Sequence, residues 1–207
     1  MEFLSITAFL GAAVLLTLMP GPDNLFVLAQ SIAKGQKAGV STSLGLCTGL
    51  LFHITAATVG LSALVYQSAF AFALVKYVGA AYLLFLAYKS FREKSSGFDL
   101  SSESSLSYKA LYKRGVIMNL LNPKVSLFFL ALFPQFINYS WGNVPGQMLI
   151  YGLIFLLQAL VIFSLISVFA GSISAFLQKS PSISKRINKV QGTLFALIAF
   201  NIAFSQK

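Results

Sequence analysis

The sequence predicts an all-α integral membrane protein: six transmembrane helices as two inverted three-helix repeats, with helices 1 and 4 broken at proline. Three observations predict it. The 207 residues are 57% hydrophobic and only 10% charged, with a mean hydropathy of +0.80, whereas a soluble globular chain is about a quarter charged. The apolar residues fall into six long runs, with most of the Lys and Arg in alternate gaps between them. The opening run of each half is interrupted by proline. So little polar surface excludes a soluble enzyme, a nucleic-acid binder and a disordered chain. The net charge of +10 is no nucleic-acid signature, because the basic residues sit in short gaps between apolar runs, as in membrane proteins.

A hydrocarbon core of about 30 Å needs roughly 20 apolar residues per helix. The runs that meet this are Phe3–Ile32, Gly39–Tyr66, Ala73–Tyr88, Gly115–Ile137, Gly146–Phe176 and Ile187–Phe204. The first would be roughly 45 Å long as one helix, and it carries Pro20-Gly21-Pro22-Asp23 near its middle. Proline removes a backbone donor and clashes with the preceding turn, so a break is expected there. No basic residue precedes this run and no A-x-A site follows it, so it is expected to be retained rather than cleaved.

Lys34 and Lys37 lie between spans 1 and 2. Lys89, Arg92, Lys94, Lys109, Lys113 and Arg114 lie between spans 3 and 4, and Lys179, Lys185, Arg186 and Lys189 between spans 5 and 6. Loops 67–72 and 138–145 hold no Lys or Arg. The positive-inside rule places the three basic loops in the cytoplasm and both termini outside. The Ser-rich segment 90–112 then reads as a cytoplasmic linker joining a first three-helix half, 1–89, to a second, 113–207. Three spans per half force opposite orientations. Interrupted helices at corresponding places, Gly21-Pro22-Asp23 and Asn122-Pro123-Lys124, point to a transporter with its site near the midplane.

Asp23 and Lys124 each follow a break proline directly. An ionisable residue inside a bilayer is costly and faces a cavity or a partner. Each break frees carbonyls upstream and presents N–H groups and a positive dipole end downstream, where a substrate carboxylate can sit. Asp23 suits an ammonium group or a proton; Lys124 suits a carboxylate, or a structural salt bridge to Asp23. Asn24, Asn119 and Asn122 flank the breaks and either satisfy freed backbone groups or line the pathway.

Ser41, Gly45, Gly49, His53 and Ala57 recur every four residues, a small-residue helix face carrying the only histidine. Gly45 and Gly49 permit close helix approach, within the chain or across a homodimer. His53 fits either a hydrogen bond across a helix interface or a proton relay. Gln158, Ser164, Ser167 and Gly171 read as interhelical hydrogen bonding or cavity lining. Lys76 is expected to snorkel. Phe128, Phe129 and Phe133 are expected in the core or facing lipid, and Trp141 at the interface.

No nucleotide-binding G-x-x-x-x-G-K-[ST] loop, C-x-x-C or H-E-x-x-H occurs, and one His with one Cys builds no ordinary zinc site. No cofactor is expected, and nothing marks a hydrolytic centre. A solute channel with paired half-helices and an ion exporter are the alternatives to a carrier, though a single intramembrane carboxylate is poor for divalent cations.

Pro20-Gly21-Pro22-Asp23, the run from Lys34-Gly35 through Gly39, Gly45, Gly49 and His53 to Gly60-Leu61, Gly79-Ala80-Ala81-Tyr82-Leu83, and Asn122-Pro123-Lys124 through Phe128-Phe129 to Pro134-Gln135-Phe136 together resemble the LysE/RhtB family of bacterial amino-acid exporters. The resemblance covers nearly the whole chain in order. It implies a multi-pass protein of the bacterial cytoplasmic membrane that expels amino acids or close derivatives in exchange for protons. Asp after Pro-Gly-Pro is closer to the homoserine/threonine-resistance branch, which implies neutral substrates. The expected mechanism is alternating access, with a returning proton on Asp23 shared with His53.

Overall fold

Among the described residues every element is helical and none is a strand. The computed structural model describes residues 3–19, 21–61, 69–92 and 106–179, then 189–190, 192–193, 196–197, 199–200 and 203–204. Pro20, the linker segment 93–105 with Lys94, and Lys185 and Arg186 lie outside the described residues, as do the side chains of Lys76, Tyr82, Leu83 and Lys179.

Helix α1 (Phe3–Leu18) has neither an acidic first turn nor a basic last turn. Helix α2 (Pro22–Lys34) follows at 57° to it. Pro22 sits in the first turn of α2, where its missing N–H costs nothing. Asp23 in the first turn and Lys34 in the last complement the helix dipole. Gly35 then takes φ +83°, a left-handed conformation that a side chain disfavours, and turns the chain into α3 (Gln36–Ala56). A π-helical turn, Ala57–Leu61, extends α3. Helix α4 spans Ala69–Arg92.

The second broken helix begins with α5 (Tyr108–Leu120), capped by Ser107 Oγ, which accepts from Ala110 N at 3.3 Å. This start is seven residues ahead of the expected Gly115, because Lys109, Lys113 and Arg114 end the apolar run before they end the helix. After Leu121, Asn122 Oδ1 accepts from Lys124 N at 3.0 Å and caps α6 (Pro123–Leu127). A π turn, Phe128–Leu132, and a 3-10 turn, Phe133–Phe136, complete this limb, bent 44° from α5. A 3-10 turn at Tyr139–Trp141 leads to α7 (Val144–Val168). The expected single run Gly146–Phe176 is divided by a turn at Phe169 into α7 and α8 (Ala170–Lys179), where Gly171 and Ser172 weaken helix propensity.

Residues 36–60 and 144–168 are each long and apolar enough to cross a membrane, and the two bent pairs pass the same test if each is one span. The chain is therefore an all-α, multi-pass membrane protein with up to four such spans among the described residues.

Helix α3 is the hub, packed against α2, α5 and α7. Its glycines make this possible: a Cβ on Gly45 would collide with the Tyr112 carbonyl, and one on Gly115 would lie 2.5 Å from Thr42 O. A second core is aromatic. Phe9, Phe128, Phe129, Phe133 and Tyr151 are fully buried, and ring centroids stand 4.8 Å apart for Phe9–Tyr151 and 4.9 Å for Phe128–Phe155. Phe128, Phe129 and Phe133 thus belong to the core and not to the lipid face. Trp141 is exposed.

At one end the end of α2 and the start of α3 meet the start of α5 and the end of α7. Lys34 Nζ donates to Leu106 O at 2.9 Å, Ser41 Oγ donates to Tyr108 O at 2.7 Å, and Gln36 Nε2 reaches Val168 O at 3.3 Å. At the other end Gln147 ties down the uncharged loop, donating to Asn138 O at 2.9 Å and Gly142 O at 2.8 Å.

Candidate functional site

The two helix breaks meet. Asp23, at the start of α2, is 2% exposed, and its Oδ2 accepts from Asn122 Nδ2 at 2.7 Å. Its Oδ1 is buried without a hydrogen-bond partner. Asn122 therefore serves two ends at once, capping α6 through Oδ1 and holding the Asp23 carboxylate through Nδ2.

Lys124 reaches in the opposite direction. Its Nζ donates to Leu16 O at 3.1 Å and Met19 O at 3.2 Å, rather than to Asp23. Leu16 O is the carbonyl that Pro20, lacking an N–H, leaves without its helical donor. The Lys124 ammonium thus closes the C-terminus of α1, where the dipole is negative. It lies against Gly21, where an added Cβ would stand 3.3 Å from Nζ. Asn24 Nδ2 completes the cap, donating to Thr17 O at 2.8 Å and Met19 O at 3.1 Å. Of the alternatives open in the sequence, the direct Asp23–Lys124 bridge is not the arrangement found.

Asp23 and Lys124 nevertheless line one pocket, with Leu16, Thr17, Asn119 and, on its apolar wall, Leu46, Leu50, Val125, Phe155, Ala159 and Phe163. The pocket holds about 330 Å³ of non-atom space, part of it open to the exterior. Asn119 is buried, and its Oδ1 also lacks a hydrogen-bond partner. Its backbone carbonyl is occupied: His53 Nε2 lies 3.1 Å away, and since a carbonyl only accepts, this nitrogen carries the proton. The His53 ring stacks over Phe129 at 6.1 Å. His53 is tied to the chain beside the pocket and does not line it. Gly49 allows that approach, with an added Cβ only 2.8 Å from Asn119 Cβ.

Of the residues expected at the site, Asp23, Lys124 and Asn119 face the pocket, while Asn24, Asn122 and His53 hold the groups that form it. Pro22 and Pro123 open the downstream helices and Gly21 joins the first pair. Gly45 lies in the α3–α5 contact, away from the pocket lining. Thr17 was not singled out by the sequence, although it is a polar residue just upstream of a proline break. Its Oγ1 donates to Ala13 O at 2.9 Å and accepts from Gln158 Nε2 at 2.8 Å, making Gln158 an interhelical hydrogen-bonding residue. Ser167 pairs similarly with Ser43, at 3.3 Å. The apolar wall gave no signal of its own, because its residues look like any others in a membrane helix.

Comparison with known proteins accounts for nearly the whole chain. The family model LysE type translocator matches residues 14–206. The chain is 35% identical over 189 residues to an uncharacterized membrane protein of Vibrio cholerae, covering 91% of each chain. It is 33% identical to the uncharacterized membrane protein YrhP of Bacillus subtilis, covering 96% of this chain and 97% of the relative. It is also 35% identical over 197 residues to the homoserine/homoserine lactone efflux protein of Salmonella typhimurium, covering 95% and 94%. No solved structure matches. A pocket built where two proline-broken membrane helices meet, in a chain matched along its length, fits a translocator: the protein belongs to the LysE type translocator family.

Proposed function

We propose that the protein exports small neutral amino acids or their derivatives across the bacterial inner membrane, by proton antiport with alternating access. The observation that carries this reading is the buried junction of the two helix breaks. There Asp23 keeps one carboxylate oxygen unpartnered in a pocket it shares with Lys124. Such an oxygen in a membrane interior accepts a proton or a substrate ammonium, and the two compete for it. That competition is the elementary requirement of antiport.

The substrate class is supported by the relative named as a homoserine/homoserine lactone efflux protein, and by a pocket whose remaining wall is apolar. Residues 1–89 and 113–207 act as two inverted three-helix halves, with 90–112 in the cytoplasm beside the other basic loops. Two unlike gates support alternation. Towards loop 138–143 the pocket abuts the aromatic cluster of Phe9, Phe128, Phe129, Phe133, Tyr151 and Phe155. Towards the basic end, beyond Leu46 and Phe163, Ser31, Gly39, Ser43 and Ser167 pack closely, with Ser43 Oγ 3.3 Å from Ser167 Oγ. Asp23 is the proton and ammonium group, Asn122 and Lys124 hold the breaks in register, and His53 orients Asn119.

Counterflow in proteoliposomes tests the reading. Labelled L-homoserine and L-threonine are taken up against unlabelled internal amino acid, with and without an imposed pH gradient. Saturable exchange that responds to the gradient is the expected result. Its absence with both amino acids, in protein shown to be folded, overturns the assignment, and unsaturable downhill flux would instead indicate a channel.

A further inference from the structure

The polar lining of the pocket comes from the limbs of the two broken helices: Thr17 from the end of α1, Asp23 from the start of α2, Asn119 from the end of α5 and Lys124 from the start of α6. Most of the apolar wall comes instead from the two long unbroken helices, with Leu46 and Leu50 on α3 and Phe155, Ala159 and Phe163 on α7. An unbroken helix keeps its backbone hydrogen bonds, so this wall is the rigid part of the site.

Phe155, Ala159 and Phe163 are spaced four residues apart and stand in one row along α7. The middle side chain ends at Cβ, which leaves a notch between two phenyl rings. Phe155 is held from swinging across it, because its ring packs against Phe128 at 4.9 Å and Phe129 at 5.3 Å. Gln158, the residue before Ala159, donates from Nε2 to Thr17 Oγ1 at 2.8 Å, which fixes this stretch of α7 level with the end of α1.

The notch offers a ligand no hydrogen bond. The five residues of its wall carry no polar side-chain atom. Thr17 carries the one hydroxyl among the described lining residues, and that hydroxyl donates to Ala13 O at 2.9 Å while accepting from Gln158. A ligand hydroxyl carried into the notch loses its water without gaining a partner, whereas a methyl group of similar size gains contact with both rings.

We propose that Ala159 is a specificity-determining residue: the notch between Phe155 and Phe163 receives the substrate's side chain, and the Ala159 methyl sets the length it can have. The favoured class is an amino acid with a short hydrocarbon side chain, ahead of its hydroxylated isostere. This rests on the transport reading above, in which Asp23 holds the ammonium group, and adds to it the residue that selects the side chain.

Counterflow of labelled L-homoserine or L-threonine, whichever the wild type exchanges, is measured in proteoliposomes with unlabelled competitors. L-norvaline differs from L-homoserine by a methyl group in place of the terminal hydroxyl, and L-alanine ends at Cβ. In the wild type, norvaline is expected to compete about tenfold better than homoserine or alanine, the scale of one methylene-sized change in an apolar pocket. Ala159→Leu fills the notch and is expected to lower the norvaline-to-alanine preference by about tenfold or more, with alanine competing as before. Ala159→Gly deepens the notch and is expected to move the preference towards L-norleucine, one methylene longer. A general loss of packing weakens all competitors together, so these ratios read selectivity and not stability. If Ala159→Leu does not insert, Ala159→Gly and the wild-type order decide. A wild type that prefers homoserine to norvaline, or ratios unchanged in the variants, overturns this inference alone. A wild type that exchanges neither labelled amino acid overturns the transport reading and the inference with it.

Discussion

Asp23 Oδ2 accepts a 2.7 Å hydrogen bond from Asn122 Nδ2, across 99 positions of sequence. Each residue sits beside the proline that breaks its own helix, so one short contact joins the two irregular points of the chain. The other carboxylate oxygen is buried without a hydrogen-bond partner, in a residue that lines the pocket. Four predictions follow from this junction and the packing around it.

Asp23→Asn preserves shape and an acceptor for Asn122 but carries neither charge nor proton. The variant is expected to insert and purify as the wild type does, and to lose export driven by a pH gradient. Counterflow with and without the gradient measures this. Full gradient-driven export by the variant would remove Asp23 from the coupling step.

Lys124→Ala leaves the Leu16 and Met19 carbonyls without this donor at the end of α1. Met19 O keeps Asn24 Nδ2 as a donor, so a loss of about 1–3 kcal/mol is expected, for the orphaned Leu16 carbonyl. Lys124→Gln should recover part of it. Thermal unfolding of the purified protein in detergent gives the comparison, and equal stability of Lys124→Ala and wild type would sink the capping role.

His53→Gln retains a donor near the Asn119 carbonyl, whereas His53→Leu removes it. The glutamine variant is expected to transport with an unchanged pH profile, and the leucine variant with reduced affinity. An altered profile in His53→Gln would make the imidazole a proton relay instead.

Gly45→Ala and Gly115→Ala push a methyl group into backbone atoms of the facing helix. Each is expected to cost about 1–3 kcal/mol. Gly60→Ala, with nothing within 4 Å of its added Cβ, serves as the neutral control. Melting temperatures of the three variants in one detergent decide it; indifference of Gly45→Ala would mean that α3 and α5 pack less closely.

Much of the site was legible in the sequence, because a charged residue beside a proline in an apolar run has few structural uses. Asp23 and Lys124 stood out for that reason, and both line the pocket. Their partners did not. Side-chain type and spacing show that a break frees carbonyls, but not which distant donor satisfies them. Asn24 and Lys124 share that work at α1, and the sequence left Lys124 equally suited to a carboxylate or to Asp23. Leu46, Leu50, Val125, Phe155, Ala159 and Phe163 were silent, since aliphatic and aromatic residues serve lipid, core and pocket alike.

By itself the sequence determined the solvent of this protein, the places where its helices break and the charge of each loop. Those properties follow from local composition: apolar length sets what can enter a bilayer, and proline removes a donor wherever it stands. The tertiary structure alone decided the pairings: Asn122 with Asp23, Lys124 with the end of α1, and Gly45 against Tyr112. Pairing depends on which surfaces approach closely enough for a hydrogen bond or a backbone contact, and residues about a hundred positions apart meet only once the helices have packed.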